Sequence, residues 1–110
     1  MGAEDILAWD AKDLSKAVHR HEVDVAEIVQ AYRQQIHRWN DRLVGYIAMA
    51  GAQVLEQITP PSQAADEAGS LWGVPVAVKD LFDVQGLITR AGSRFFARSN
   101  AADAPSVQVL

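Results

Sequence analysis

Apolar residues in the first forty positions recur at steps of three and four, which is the spacing of amphipathic helices. The pattern predicts one helix over residues 11–20, with Asp10 as its N-terminal cap. It predicts a second helix over residues 24–39, which opens with a capping box formed by Asp24 and Glu27. The polar pair at 40–41 is expected to end this second helix.

Beyond residue 42 the apolar residues form short continuous runs. Residues 43–49 are predicted to be a strand. Residues 53–58 and 62–68 are predicted to be helical, with Pro60 and Pro61 between them as a break and a turn at 69–70. The valine-rich run at 73–78 is too short for a helix and predicts a fully buried strand. A brief extended piece is expected at 82–84.

The last residues have the pattern of a helix that is beginning. Asp103 is the expected cap, Pro105 suits the first turn, and Val107 and Leu110 share one face. A helix this short is not stable alone, so we expect the chain to be the front part of a longer protein. The prediction is a single incomplete domain, with a mainly helical region at 1–68. Residues 69–110 would hold the buried strand and the next helix.

Composition narrows the possible functions. The 110 residues are 49% hydrophobic and 22% charged, as in a globular chain. Ten basic and fourteen acidic residues give a net charge of -4, so direct nucleic-acid binding is not expected. The absence of cysteine excludes disulfides, zinc–cysteine sites and thiol nucleophiles. The acidic start and the lack of a long apolar run predict a cytoplasmic chain with no membrane segment.

Lys79 is the first candidate for chemistry. It ends the predicted buried strand, and open α/β sheets place their sites at the carboxyl ends of strands. Burial disfavours a charged ammonium, so a buried lysine can act as a base. On pattern alone, a strand end that brings a charge to water is the favoured interpretation.

For the other candidate residues, the sequence pattern favours ordinary structural roles over catalysis or binding. The turn that contains Gly92 and Ser93 could meet an anion or hold a nucleophile, but it lacks the second glycine of GxSxG. The histidines lack metal-motif spacing, and too few carboxylates cluster to bind a metal. No phosphate-binding glycine motif occurs, so no cofactor is expected. Three arginines spaced four apart would form a solvated helix stripe: Arg90, Arg94 and Arg98.

Residues 71–84 read L-W-G-V-P-V-A-V-K-D-L-F-D-V, and Gly86 and the T-R-A-G-S element at 89–93 follow. This run resembles the amidase signature family, whose members commonly have G-V-P-V-A-V-K-D, then D-V, a glycine and T-x-x-G-S. The resemblance extends back through the capped helix at 24–39 and forward to the D-A-P at 103–105. It therefore covers nearly the whole chain.

The resemblance implies an α/β fold in which helices pack on part of a mixed sheet. It implies cleavage of small-molecule amides, or transfer of their nitrogen, through a Ser–cis-Ser–Lys triad. Lys79 would be the base, Gly92 and Ser93 would line the substrate site, and Asp80 would be a structural neighbour. The family pattern implies no metal and no cofactor.

The sequence departs from the family pattern at several points. No Gly-Ser-Ser-Gly stretch is present, so neither triad serine can be assigned, and the 110 residues alone are expected to be inactive. Ile88, Arg90 and Trp72 replace residues that are frequent in the family, and Pro60–Pro61 interrupts a helix that members usually continue. Two alternatives stay open. One is the A subunit of a glutamyl-tRNA(Gln)/aspartyl-tRNA(Asn) amidotransferase, which works with a partner subunit. The other is a non-catalytic remnant that binds a partner or a second copy.

Overall fold

The computed structural model describes residues 2–51 and 71–110, so the predictions for residues 53–58, 59–61, 62–68 and 69–70 lie outside the described residues. The chain divides into two compact units, residues 1–75 and 76–110. The described part of the first unit contains helices α1 (Ala3–Ala8), α2 (Ala11–His19) and α3 (Val25–Leu43). The second contains strands β1 (Ile88–Thr89) and β2 (Arg98–Ser99) and helix α4 (Pro105–Gln108).

Helix α2 begins and ends where its local sequence predicts. The Asp10 carboxylate accepts a hydrogen bond from the Asp13 amide at 2.8 Å, which confirms the predicted cap. At the other end, His21 adopts a left-handed conformation with φ 55. Its amide donates to the Val18 carbonyl, and the next amide donates to the Ala17 carbonyl. These two bonds form a Schellman motif, which satisfies the last carbonyls of the helix.

Helix α3 begins as predicted but ends later. The Asp24 amide donates to the Glu27 carboxylate at 2.9 Å, as a capping box requires. The helix continues through Asn40 to Leu43, because Val44, and not Asn40, adopts the left-handed conformation that ends it. The Asn40 amide group donates to the Tyr46 carbonyl at 2.8 Å and its oxygen accepts from the Tyr46 amide at 2.9 Å.

The predicted strand at 43–49 is therefore wrong. Val44 ends α3 in the left-handed conformation with φ 48, and its amide donates to the Asn40 carbonyl. The residues that follow lie along the helix: the Arg33 guanidinium donates to the Ala50 carbonyl at 3.2 Å. No strand in the described residues pairs with this segment, and a strand needs a neighbour to take its backbone hydrogen bonds.

The core of the first unit joins all three helices. Helix α1, which the sequence pattern did not predict, packs against α3 and buries Ile6. The buried apolar residues are Ile6, Leu14, Ala17, Val18, Val23, Ile28 and Ala31. Trp72 and Val74, near the C-terminal end of the first unit, also pack against this core. Among residues 2–51 and 71–75 of this unit, the apolar faces of the helices form the core.

Gly73 makes the close approach of the chain to this core possible. It has φ +81, and a Cβ atom there would lie 2.9 Å from Val25 Cγ2 and 3.2 Å from Val18 Cγ1. Both valines are stiff at χ1 and cannot rotate aside cheaply.

We expect Gly73→Ala to lower the free energy of unfolding by about 1–3 kcal/mol, since it adds left-handed backbone strain to a steric contact. Urea unfolding followed by circular dichroism measures the loss. Gly51→Ala is the matched control, because a Cβ at Gly51 meets nothing within 4 Å. Equal effects of the two substitutions would contradict the packing argument.

The buried strand predicted at 73–78 is also wrong. Gly73 turns the backbone, and Val76 and Val78 keep 54% and 37% of their surface exposed. The division between the two units falls at 75–76, inside this run. Within the described residues no strand lies beside it, so its apolar side chains have no sheet to pack into.

The second unit is built around a short antiparallel ladder. Ile88 pairs with Ser99 and Thr89 with Arg98. The extended piece predicted at 82–84 is not a strand of this sheet. Helix α4 is confirmed with Pro105 in its first turn, but Ala104, rather than Asp103, is its cap. The Asp103 carboxylate instead accepts from the Gln85 amide at 2.7 Å.

Candidate active site

Lys79 stands at the start of a tight turn in the second unit. Its carbonyl accepts hydrogen bonds from the Leu81 amide at 2.7 Å and from the Phe82 amide at 3.0 Å. The Lys79 side chain is exposed, which agrees with the favoured interpretation of a charge brought to water and not with the alternative of a buried lysine. Among those residues its ammonium group makes no ion pair. The lysine is therefore available to a group that approaches it.

A second tight turn, the Ser93 turn (residues 90–93), lies in the loop between β1 and β2. The Ser93 amide donates to the Arg90 carbonyl at 3.0 Å. Ala91 and Gly92, the two central residues, both have positive φ, 51 and 72. Two successive positive φ values are the mark of a primed turn. The predicted turn at 91–93 is thus confirmed, and the Ser93 hydroxyl oxygen accepts from the Phe95 amide at 3.1 Å.

Asp80 joins these two turns. One of its carboxylate oxygens, Oδ1, accepts from the Arg90 amide at 3.0 Å, and its carbonyl accepts from the Ala91 amide at 3.1 Å. The residue after Lys79 is therefore bonded to the turn that contains Gly92 and Ser93. The sequence motif predicted these residues as one site, and the structure brings their two segments together. The bonds through Asp80 were not predicted, because nothing in the local pattern pairs residue 80 with residues 90 and 91.

A polar network around Asp83 holds the rest of the second unit. The Arg98 guanidinium donates to both Asp83 carboxylate oxygens, at 2.6 and 2.5 Å, and the Thr89 hydroxyl donates to one of them at 2.9 Å. Asn100 donates to the Thr89 hydroxyl oxygen at 2.7 Å. The predicted helical stripe of arginines is wrong, because Arg98 belongs to strand β2, where its partner in the ladder is Thr89 of β1.

The hydrogen bond from Arg98, with the one from Thr89, holds the pKa of Asp83 below its ordinary value of 3.8. A carboxylate whose pKa is lower in the folded state stabilises that state above the unfolded pKa, and its contribution disappears as the pH falls through the lowered value. We expect the second unit to loosen below about pH 4. The amide signals of Thr89 and Asn100 in an acid NMR titration report this change. Asp83→Asn should remove this acid-induced change in the amide signals. If the titration of the variant matches that of the wild type, Asp83 is not the group responsible.

The histidines do not form a ligand site. His19 Nδ1 lies 2.7 Å from the Ser15 carbonyl at the end of α2, a helix-end role as expected. Within residues 2–51 and 71–110, no cluster of three histidine, aspartate or glutamate side chains is arranged to hold a metal ion. Over the same residues, no helix is long and apolar enough to cross a membrane.

Comparison with known proteins agrees with the motif at Lys79. The chain belongs to the amidase family, whose model matches residues 27–110 and so includes Lys79 and both turns. This membership supports an α/β class, and the described residues show helices and a two-stranded sheet.

The most similar relatives include three proteins that are each named as the A subunit of glutamyl-tRNA(Gln) amidotransferase. The protein from Salinispora arenicola is 36% identical over 84% of this chain and 20% of its own length. The one from Oceanobacillus iheyensis is 30% identical over 96% of this chain and 22% of its own length. The one from Granulibacter bethesdensis is 40% identical over 82% of this chain and 18% of its own length. The chain thus spans about a fifth of the length of these relatives. No solved structure matches the chain.

Proposed function

We propose that this chain supplies the lysine base of an amide-cleaving enzyme of the amidase signature type. The observation that carries the proposal is the family match, which covers the Lys79 segment and the Ser93 turn together. The hydrogen bonds that join Asp80, the residue after Lys79, to the Ser93 turn support the same assignment. The exposed Lys79 side chain is open to an approaching substrate.

In the proposed mechanism, Lys79 in its neutral form accepts a proton from a serine on a cis peptide. That serine accepts the proton of a second serine, whose oxygen attacks the amide carbonyl carbon. The C–N bond then breaks, the leaving nitrogen takes up a proton, and an acyl-enzyme remains. Water, or another amine, releases the acyl group. Both serines would lie outside these 110 residues, which contain no Gly-Ser-Ser-Gly stretch.

We propose Gly92 and Ser93 as substrate-contacting residues. They occupy the turn that Asp80 holds near Lys79, and Gly92 presents backbone without a side chain. No metal and no organic cofactor takes part in the proposed chemistry.

The names of the relatives favour one version of this function, the A subunit of a glutamyl-tRNA(Gln) amidotransferase. In that version the site would release ammonia from glutamine, and a partner subunit would bind the tRNA. The net charge of -4 agrees with a chain that does not itself bind nucleic acid. We place the enzyme in the cytoplasm, where such a substrate and partner occur.

The first experiment is the intact mass of the protein captured from its source with an antibody against this region. We expect a mass several times the 12.0 kDa of these 110 residues, in keeping with the length of the relatives. A mass of 12.0 kDa would contradict the catalytic proposal and leave a remnant that binds a partner. In the remnant, Lys79→Ala should leave partner binding unchanged.

The second experiment measures ammonia release from glutamine and from simple amides by the captured protein. Glutamine hydrolysis that depends on a co-captured subunit supports the amidotransferase version. Hydrolysis of simple amides without a partner supports a stand-alone amidase. If neither substrate releases ammonia, the proposal fails.

A further inference from the structure

We propose that Asp80 is a positioning residue of this site, which fixes the Ser93 turn against Lys79. The proposal rests on the amide-cleaving function proposed above. It assigns to Asp80 a role separate from proton transfer: it sets where the substrate-contacting residues stand relative to the base. Removing it should therefore weaken substrate binding while leaving the lysine itself intact.

The first argument is geometric. Asp80 offers two acceptors, its side-chain Oδ1 and its main-chain carbonyl, to the consecutive amides of Arg90 and Ala91 at 3.0 and 3.1 Å. A single hydrogen bond would leave the turn free to pivot, whereas two bonds to adjacent amides also fix its orientation. Since Asp80 is covalently attached to Lys79, the turn cannot move away from the lysine without breaking one of them.

The second argument is that the Ser93 turn needs an external attachment. Strand pairing ends at Thr89 and resumes at Arg98, so the sheet does not hold the loop between them. Ala91, with φ 51, adopts a conformation that an L-residue with a Cβ avoids. Ala91 and Gly92 are also exposed, so packing does not fix them either. The bonds from Asp80 offset the strain and replace the missing packing.

The other carboxylate oxygen of Asp80 determines which substitutions test the attachment. Oδ2 is buried and has no hydrogen-bond partner within the described residues. The Asp80→Asn substitution would keep an oxygen acceptor for the Arg90 amide and alter only the unpartnered position. It is thus the conservative variant that retains the attachment, and Asp80→Ala is the variant that removes its side-chain half.

Steady-state kinetics of amide hydrolysis by the intact enzyme test this proposal. We expect Asp80→Ala to raise KM by about tenfold, the equivalent of one lost hydrogen bond, with a smaller change in kcat. Asp80→Asn should keep KM within about threefold of the wild type, as expected when the acceptor is retained. Asp103→Ala is the matched control, because Asp103 also accepts a backbone amide, that of Gln85, in the same unit. Its KM should not change.

Three kinetic outcomes would overturn the proposal. The first is an unchanged KM in Asp80→Ala. The second is an equal rise in Asp103→Ala, which would indicate a general loss of stability. The third is a rise in KM in Asp80→Asn as large as that in Asp80→Ala. It would show that substrate binding depends on the charge of Asp80 rather than on the attachment.

Hydrogen–deuterium exchange of the intact protein gives a readout that does not depend on activity. In the wild type, the amides of Arg90 and Ala91 should exchange more slowly than that of Ala97 in the same loop. Asp80→Ala should speed exchange at Arg90 by about tenfold, and Asp80→Asn should not. Wild-type exchange at Arg90 as fast as at Ala97 refutes the attachment even if a variant fails to fold. If protection is present but the protein releases no ammonia, the amide-cleaving function fails and the attachment stands.

Discussion

Lys79→Met is expected to lower kcat/KM for amide hydrolysis in the intact enzyme by about 10²- to 10⁴-fold, the range that a positioned general base contributes. Methionine has a similar length and removes the amine that accepts the proton. Because Lys79 is exposed and makes no ion pair within the described residues, the substitution should leave the fold intact. Ammonia release under steady-state conditions measures the loss, and circular dichroism confirms that the variant is folded.

Lys79→Arg separates a base from a fixed positive charge. A guanidinium keeps the charge but does not lose its proton in proteins, so it cannot replace a neutral lysine. We expect the arginine variant to be as inactive as the methionine variant. Lys12→Met, at an exposed position of α2, is the control and should retain full activity. Substantial activity in Lys79→Arg would show that the site uses the charge of Lys79 and would contradict its role as a base.

The features that the sequence predicted correctly depend on nearby residues. The Asp10 cap, the capping box at Asp24 and Glu27, and the proline at the start of α4 each involve contacts within three or four positions. Such contacts form wherever the rest of the chain goes. The same is true of the turn at 91–93, whose glycine suits a positive φ.

The predicted strands failed because a strand depends on a partner that is distant in sequence. The valine-rich run at 73–78 has the composition of a buried strand, but Trp72 and Val74 pack on a helical core instead. For residues 43–49, the decisive contact is between Asn40 and the Tyr46 backbone, which an apolar pattern does not report. A side-chain contact six residues apart outweighs β-propensity at 43–49, and packing on the helical core outweighs it at 73–78.

The candidate site was predictable only in part for the same reason. A motif predicted Lys79, Gly92 and Ser93 as members of one site, with Asp80 beside the lysine. The role that we propose for Asp80 depends on the hydrogen bonds that it accepts from residues 90 and 91, which the motif does not report. Likewise, the spacing of Arg90, Arg94 and Arg98 suggested a helix, whereas Arg98 lies in β2 and forms a salt bridge with Asp83, which precedes β1. Pattern identifies residue types, and long-range hydrogen bonds determine what they do.

Ile28→Ala is expected to cause the largest loss of stability in the first unit, about 2–5 kcal/mol of the free energy of unfolding. Ile28 has no exposed surface, and it and Leu14 are the largest fully buried side chains in the described residues. Truncation to alanine removes three carbons from a small core and leaves a cavity. Since small domains have a total stability of only about 5 kcal/mol, the substitution should remove most of it.

Urea unfolding followed by far-ultraviolet circular dichroism suits this test, because α1, α2 and α3 all belong to the first unit. Ile28→Val should cost only about 0.5–1.5 kcal/mol, since it removes a single methylene group. Ile47→Ala makes the same chemical change at a position that is 70% exposed, and it should alter stability by less than about 0.5 kcal/mol. The loss of stability should therefore increase from Ile47→Ala through Ile28→Val to Ile28→Ala, because each step removes more buried apolar surface. If Ile28→Ala costs no more than Ile47→Ala, the helical core does not stabilise the unit as described.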